Sequence, residues 1–64
     1  MITRIVNTGS TLDGMVVEVV GIAFDARPQP GTIYLVQRID ETPFTYGNGE
    51  KWKVLPMSSS CLAT

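Results

Sequence analysis

The chain has no histidine and only one cysteine, Cys61, among its 64 residues. Histidine is the most frequent general base in enzymes, so its absence excludes histidine-based catalysis. A single cysteine allows no internal disulfide bond and, without histidine, leaves a structural zinc ion short of ligands. We therefore expect a protein that holds no metal ion and no cofactor.

Charge is also scarce, at 17% of residues, and five basic and six acidic side chains give a net charge of −1. Nucleic-acid-binding domains usually carry a basic excess, which this chain lacks. The longest apolar run, residues 15–24, is interrupted by Glu18 and Gly21 and is too short to cross a membrane. The first residues lack the features of a signal peptide, so we expect a cytoplasmic protein without membrane association.

The length and the hydrophobic content indicate one small folded domain, residues 1–64. The hydrophobic fraction of 44% argues against disorder. Ordering a chain of this size costs on the order of 100 kcal/mol at ~1.5 kcal/mol per residue. Small domains usually add a disulfide, a metal or a partner chain to their core. Since the first two are missing, we expect either a very well-packed core or oligomerisation.

Runs of β-branched residues between turn signals predict an all-β fold of four to five short antiparallel strands. Gly47, Asn48 and Gly49 predict a hairpin turn. No segment shows helical periodicity over ten residues, although a short helical turn and a last strand are expected in 57–64, with Leu62 packing back. The main strands are predicted at residues 2–6, 15–24, 32–39 and 51–55.

The strand at residues 15–24 changes its side-chain parity at Gly21. A bulge or sharp bend at this glycine would compensate for the change. Strongly bent strands of this kind are typical of small barrels. The bend is predicted to place the large apolar residues of both halves inside the fold: Met15, Val17, Val19, Ile22 and Phe24.

Several segments together resemble an SH3-like small barrel of the KOW or Tudor type. They are the turn and bent strand at 12–19, the strand at 32–39, the glycine hairpin and the closing segments 52–54 and 60–62. The resemblance spans residues 12–63 and implies a single barrel. The chain lacks the acidic, aromatic-rich loop of peptide-binding SH3 domains and the complete aromatic cage of Tudor domains, so neither ligand carries over. In length and composition it also resembles small accessory proteins of phages and mobile elements.

Nucleophilic and acidic residues are present without a catalytic arrangement. Ser58, Ser59, Ser60 and Cys61 lie in a row, but a serine nucleophile needs an adjacent base. The acidic residues fall mostly at turns, and no two of them share a predicted strand. The glycine-rich segment 47–51 lacks the spacing of a phosphate-binding loop. We therefore expect no enzymatic activity and no catalytic residues.

Alternation along the strands predicts an apolar surface on the outside of the sheet. The residues predicted to point inward are Val17, Val19, Ile33, Leu35 and Trp52. The predicted outward site consists of an apolar patch with flanking charges: Val16, Val20, Tyr34 and Val36, with Glu18, Arg38, Lys51 and Lys53. Such a patch marks an interaction site unless a loop, here residues 40–50, covers it.

The leading hypothesis is a non-catalytic protein–protein interaction module with these eight residues as its partner-binding site. It would self-associate as a homodimer or bind and inhibit a larger partner protein. The alternative is a small barrel that binds single-stranded nucleic acid by stacking bases on aromatic residues beside basic ones. The aromatic residues available for this are Tyr34, Phe44, Tyr46 and Trp52.

Overall fold

The computed structural model describes residues 1–45 and 47–63, and the regular secondary structure of this part of the chain is almost entirely β. It contains six strands and a 3-10 turn, Ser59–Cys61, so the predicted all-β class is confirmed. The strands are β1 Ile2–Arg4, β2 Val16–Phe24, β3 Ile33–Arg38, β4 Phe44–Thr45, β5 Lys51–Trp52 and β6 Leu55–Ser58.

Four of these strands form an antiparallel sheet in the order β1-β2-β3-β6, and β4 and β5 form a separate hairpin. The end of the chain returns to β1, where Ile5 bridges Leu62 and the Ala63 N–H donates to the Arg4 carbonyl at 2.9 Å. Leu62 is buried, as predicted from the sequence. The likeness to SH3-like barrels stays a prediction.

The predicted strand at 51–55 is divided into two, which raises the number of strands above the four to five expected. Lys51–Trp52 pairs back with Phe44–Thr45 across the glycine turn, whereas Leu55 begins a strand beside β3. Gly49 has a φ of 87°, which glycine adopts without steric cost. Trp52 therefore lies on the hairpin and is exposed, and its predicted inward placement is wrong.

The predicted irregularity at Gly21 is present, and a second one follows it. Val19 pairs with Val36 but Gly21 pairs with Leu35, so Val20 is an extra residue, and the register shifts again between Ile22 and Phe24. Ile22 and Phe24 are both exposed, so their predicted burial is wrong, although Ile22, opposite Tyr34, does lie on the core side of the sheet. The second shift turns Phe24 outward, and this end of the β2–β3 hairpin supplies no residue to the core cluster.

The core lies on the face of the sheet opposite to the one that carries Phe24. It includes Phe44 from the β4–β5 hairpin. Its buried members come from both ends of the chain as well as the sheet: Ile5, Val17, Val36, Phe44, Leu55, Met57 and Leu62. The loop at 40–50 thus adds to the core through Phe44.

The outward placement predicted for Val36 is wrong, because Val36 is 0% exposed and lies between Val19 and Leu55 in neighbouring strands. Ile33 and Leu35, which alternate with Val36 on the same strand, point away from the core, so the inward placement predicted for them is also wrong. Residues 33–36 are all apolar, so alternation in this strand does not select a face. A one-residue error then moves every side chain of the strand to the opposite side.

Candidate interaction surface

The face of the four-stranded sheet that points away from the core is apolar at one end. Ile33 lies opposite Phe24, and Leu35 lies opposite Gly21 beside the extra residue Val20. Directly opposed residues share a face, as do residues two apart on one strand. We call this surface the outer patch and define it by five residues: Ile2, Val20, Phe24, Ile33 and Leu35.

Four of the five outer-patch side chains are exposed, with exposed fractions between 36% and 63%. Leu35 is half-buried and covers Gly21, where an added Cβ would come within 3.4 Å of Leu35 Cδ1. Pro56, opposite Leu35 on β6, extends the apolar surface to the edge of the sheet. A contiguous exposed apolar surface on a small domain is typical of an interaction site.

Polar side chains form the boundary of the outer patch. Glu18 lies opposite the patch residue Ile2 on one side and Gln37 on the other, so the row of the sheet at this margin is polar on β2 and β3 and apolar on β1. Val16 lies beyond this row, opposite Arg4. The outer patch is therefore apolar in its centre and polar at one margin, which is the usual anatomy of a protein interface.

The eight residues predicted to bind a partner do not form one surface. Val16, Glu18 and Val20 do lie on the outer face, and Val16 and Val20 are exposed as expected. Val36 belongs to the core, and Tyr34 is half-buried against it. Whether any of these residues binds a partner stays a prediction.

The three predicted basic residues lie away from the outer patch. Arg38 lies opposite Val17, on the core side, and its Nε is 3.7 Å from an Asp40 carboxylate oxygen. Lys51 and Lys53 are exposed at the β4–β5 hairpin and the turn that follows it. Lys51 and Lys53 were predicted to flank the apolar patch of Val16, Val20, Tyr34 and Val36 from a strand at 51–55, but that strand is divided into β5 and β6.

Sequence reasoning missed Ile2, Phe24 and Ile33 as surface residues. Phe24 was misplaced because of the second register shift, between Ile22 and Phe24, where the sequence has no glycine to indicate an irregularity. For Ile33 it was the parity of β3, which only pairing with β2 and β6 determines. Ile2 sits on a strand of three residues, too short for alternation to assign a face.

The loop between β2 and β3, at the end of the outer patch, is ordered by a charged pair. The Arg27 guanidinium donates to both carboxylate oxygens of Asp25, at 2.9 and 2.7 Å, and the Arg27 backbone N–H donates at 2.9 Å. These hydrogen bonds, with the positive charge of Arg27, lower the pKa of Asp25 from 3.8 to about 2. Asp25 is therefore engaged in loop structure and is a poor proton donor or acceptor near neutral pH.

The Asp13 carboxylate likewise accepts hydrogen bonds within a loop, the one that precedes β2. The Thr8 hydroxyl donates to its carboxylate at 2.6 Å, and the backbone N–H groups of Thr8 and Gly9 donate at 2.9 and 3.0 Å. Hydrogen bonds from Thr8, above all, lower the pKa of Asp13. The carboxylate stabilises the loop before β2 by satisfying backbone donors that would otherwise need water.

A separate cleft of about 370 Å³ lies beside the β4–β5 hairpin, lined by Gly47, Asn48, Glu50, Trp52 and Pro56. The indole N–H of Trp52 donates to a Glu50 carboxylate oxygen at 3.2 Å. Of the other aromatic residues considered for base stacking, Phe44 is buried and Tyr34 half-buried, while Tyr46 lies outside the described residues. Trp52, 48% exposed, is thus the one described member of that set that is exposed.

Within residues 1–45 and 47–63, no group of three histidine, cysteine, aspartate or glutamate side chains is placed to hold a metal ion. The same part of the chain contains no helix with the length and apolar character needed to span a membrane. Comparison of the chain with protein-family models, curated proteins and solved structures found no match. Function must therefore be inferred from the chain's own surface.

Proposed function

We propose that this protein is a non-catalytic protein–protein interaction module that self-associates through the outer patch. The observation that supports it is the contiguous exposed apolar surface formed by Ile2, Val20, Phe24 and Ile33 on one face of the sheet. Fully burying a large apolar side chain is worth roughly 1.5–3 kcal/mol. Several such side chains on each subunit can offset an association cost of ~4–15 kcal/mol.

A second copy of the chain is the partner that fits best. A domain of 64 residues without a disulfide gains the most stability from burying a further surface. In a two-fold dimer one patch serves both subunits, so a single apolar surface is sufficient. The net charge of −1 is small enough that two copies repel each other only weakly. Such a dimer would act in the cytoplasm, by assembly or by binding and inhibiting a larger partner protein.

Placing a lysine in the outer patch, as Val20→Lys, is expected to dissociate the dimer. The wild-type protein at high micromolar concentration should have about twice its chain mass of 7.0 kDa in size-exclusion chromatography with light scattering. The variant should elute as a monomer at the same concentration. Burying one valine contributes roughly 1.5–3 kcal/mol, and each ~1.4 kcal/mol lost raises the dissociation constant tenfold, so we expect a dissociation constant at least about tenfold higher.

Ile39→Lys is the matched control for this experiment. Ile39 is 49% exposed and Val20 is 47% exposed, so both substitutions add a lysine at an exposed aliphatic position. Ile39 follows the end of β3 beside Val16, away from the outer patch. The control should remain dimeric. A wild-type protein that stays at 7.0 kDa would refute self-association and direct attention to a larger partner.

Binding of single-stranded nucleic acid is the second candidate, and the exposed ring of Trp52 between Lys51 and Lys53 favours it. Stacking of bases on an aromatic side chain beside basic residues is typical of such sites. Two carboxylates reduce the positive potential here: Glu50 accepts from the indole, and Glu41 lies 3.8 Å from the Lys53 ammonium. Because these carboxylates weaken the attraction for phosphate groups, nucleic-acid binding ranks below self-association.

The single tryptophan allows a direct test of nucleic-acid binding. Under this candidate, titration with a single-stranded oligonucleotide should quench the fluorescence of Trp52, and the affinity should fall steeply as salt is raised. In an electrophoretic gel-shift assay with the same oligonucleotide, Trp52→Ala should abolish the shift. Phe24→Ala, which removes another exposed aromatic ring, should preserve it. Absence of quenching at low salt would eliminate this candidate.

A further inference from the structure

Strand β2 pairs with β3 on one side and with the shorter strand β1 on the other, so β2 extends beyond β1. β1 pairs with residues 16–18, and the Val19 N–H donates to the Met1 carbonyl at 2.8 Å. β2 continues to Phe24, but on that side no backbone hydrogen bond joins residues 20–24 to a described part of the chain. We call residues 20–24 on this side the open edge.

The open edge is apolar on both faces of the sheet. Its sequence is Val-Gly-Ile-Ala-Phe, with neither a charged residue nor a proline. Ile22 lies opposite Tyr34 on the core side, while Phe24 lies opposite Ile33 on the outer face, and both are exposed. Unpaired backbone groups flanked by exposed apolar side chains form a template on which another strand can add.

The other edges of the sheet are better protected. Pro56 lies within β6, where it removes one backbone donor from that edge. The outer side of β1 is occupied by the chain end, where the Val6 N–H donates to the Cys61 carbonyl at 2.8 Å and Ala63 returns a bond to Arg4. Proteins commonly guard their sheet edges with such features. The open edge has neither of these protections.

We propose that the open edge pairs with the same edge of a second copy, antiparallel about a two-fold axis near Ile22, so that the two sheets become one. This inference rests on the proposed self-association and assigns the contact to the edge beside the outer patch. Val20 and Phe24 belong to both the edge and the patch, whereas Ile2 on β1 and Ile33 on β3 would stay at the surface. Two-fold pairing would satisfy the backbone donors and acceptors of both copies at once. A segment without charge can lie against its own copy, whereas a charged side chain near the axis would meet a like charge.

The same arrangement joins the outer patches of the two subunits. With the axis near Ile22, Val20 of one copy lies across from Phe24 of the other, and the apolar surfaces of both copies become continuous. The two register shifts in β2 increase its local twist. Register shifts are one of the features by which sheet edges resist pairing, so the two copies can pair only where their edges follow the same twist.

Cysteine cross-linking distinguishes pairing of edges from packing of faces. In a Cys61→Ala background, the cysteine of Ile22→Cys lies on the axis and faces the same residue of the second copy. Directly opposite residues of antiparallel strands have Cα atoms ~4.5–5.5 Å apart, within the ~4.4–6.8 Å range of a disulfide. The cysteine of Ile33→Cys lies one strand away, on the outer patch, and two copies approach only if the sheets stack face to face. Under mild oxidation, Ile22→Cys should form the covalent dimer at least tenfold faster than Ile33→Cys.

Amide hydrogen exchange tests the same geometry in the wild-type chain. Raising the protein concentration through the dimer transition should slow exchange at least tenfold for amides in residues 20–24 that point to the open side. Amides of residues 16–19, already paired with β1, serve as the internal control and should change much less.

The outcomes separate this inference from the proposed function. A dimer in which Ile33→Cys cross-links as fast as Ile22→Cys, with no added protection in residues 20–24, overturns edge pairing and leaves self-association standing. A wild-type protein that is monomeric at high micromolar concentration overturns both.

Discussion

Replacing Phe44 with alanine is expected to leave much of the protein unfolded. Phe44 is 3% exposed and belongs to the core cluster, although it lies on a strand of only two residues. A buried phenylalanine replaced by alanine costs ~3–5 kcal/mol. At ~0.05–0.15 kcal/mol per residue, the whole domain has a free energy of unfolding of only about 3–10 kcal/mol. Urea denaturation followed by circular dichroism measures the loss.

The other phenylalanine of the chain is the matched control. Phe24 is 60% exposed, so Phe24→Ala removes the same ring without leaving a cavity. Its free energy of unfolding, measured at concentrations where the protein is monomeric, should change by about 0.5 kcal/mol or less. Phe24→Ala should instead weaken self-association. Equal destabilisation by the two substitutions would contradict the placement of Phe44 in the core.

Val36→Lys is expected to unfold the monomer rather than dissociate a dimer. Val36 is fully buried between Val19 and Leu55, so the lysine ammonium would lose its hydration without gaining a partner. A buried lysine avoids this cost by losing its proton, which lowers its pKa by up to ~3–5 units. We expect a loss of several kcal/mol at neutral pH, visible as a collapse of the urea midpoint.

The pH dependence of Val36→Lys identifies the cause. Below about pH 10.4, the ordinary lysine pKa, the unfolded chain holds a proton that the folded chain has released. Stability therefore rises with pH between the lowered pKa of the folded state and about 10.4. Val20→Lys, with its lysine exposed, should keep its fold and show no such rise. Two variants of equal stability would mean that Val36 is not buried in solution.

Much of the fold follows from local sequence features. The β-branched residues of 16–20 and 33–36 disfavour helix and favour strands, and the structure has strands there. Gly21 marked the first irregularity of β2, because glycine in a strand often accompanies a bulge. The exposure of Val16 and Val20 also followed from alternation within β2. These are properties of short segments, which a sequence encodes directly.

The tertiary structure alone decided which face of β3 is buried and which residues remain at the surface. Residues 33–36 are apolar on both sides, so their orientation depends on pairing with β2 and β6. Phe44 and Trp52 lie opposite each other in the β4–β5 hairpin, yet Phe44 is buried and Trp52 is exposed, so contact of the hairpin with the core, rather than the register, separates them. The open edge exists because β1 stops before β2 does. Each of these features depends on contacts between segments distant in sequence, which local propensity and alternation do not encode.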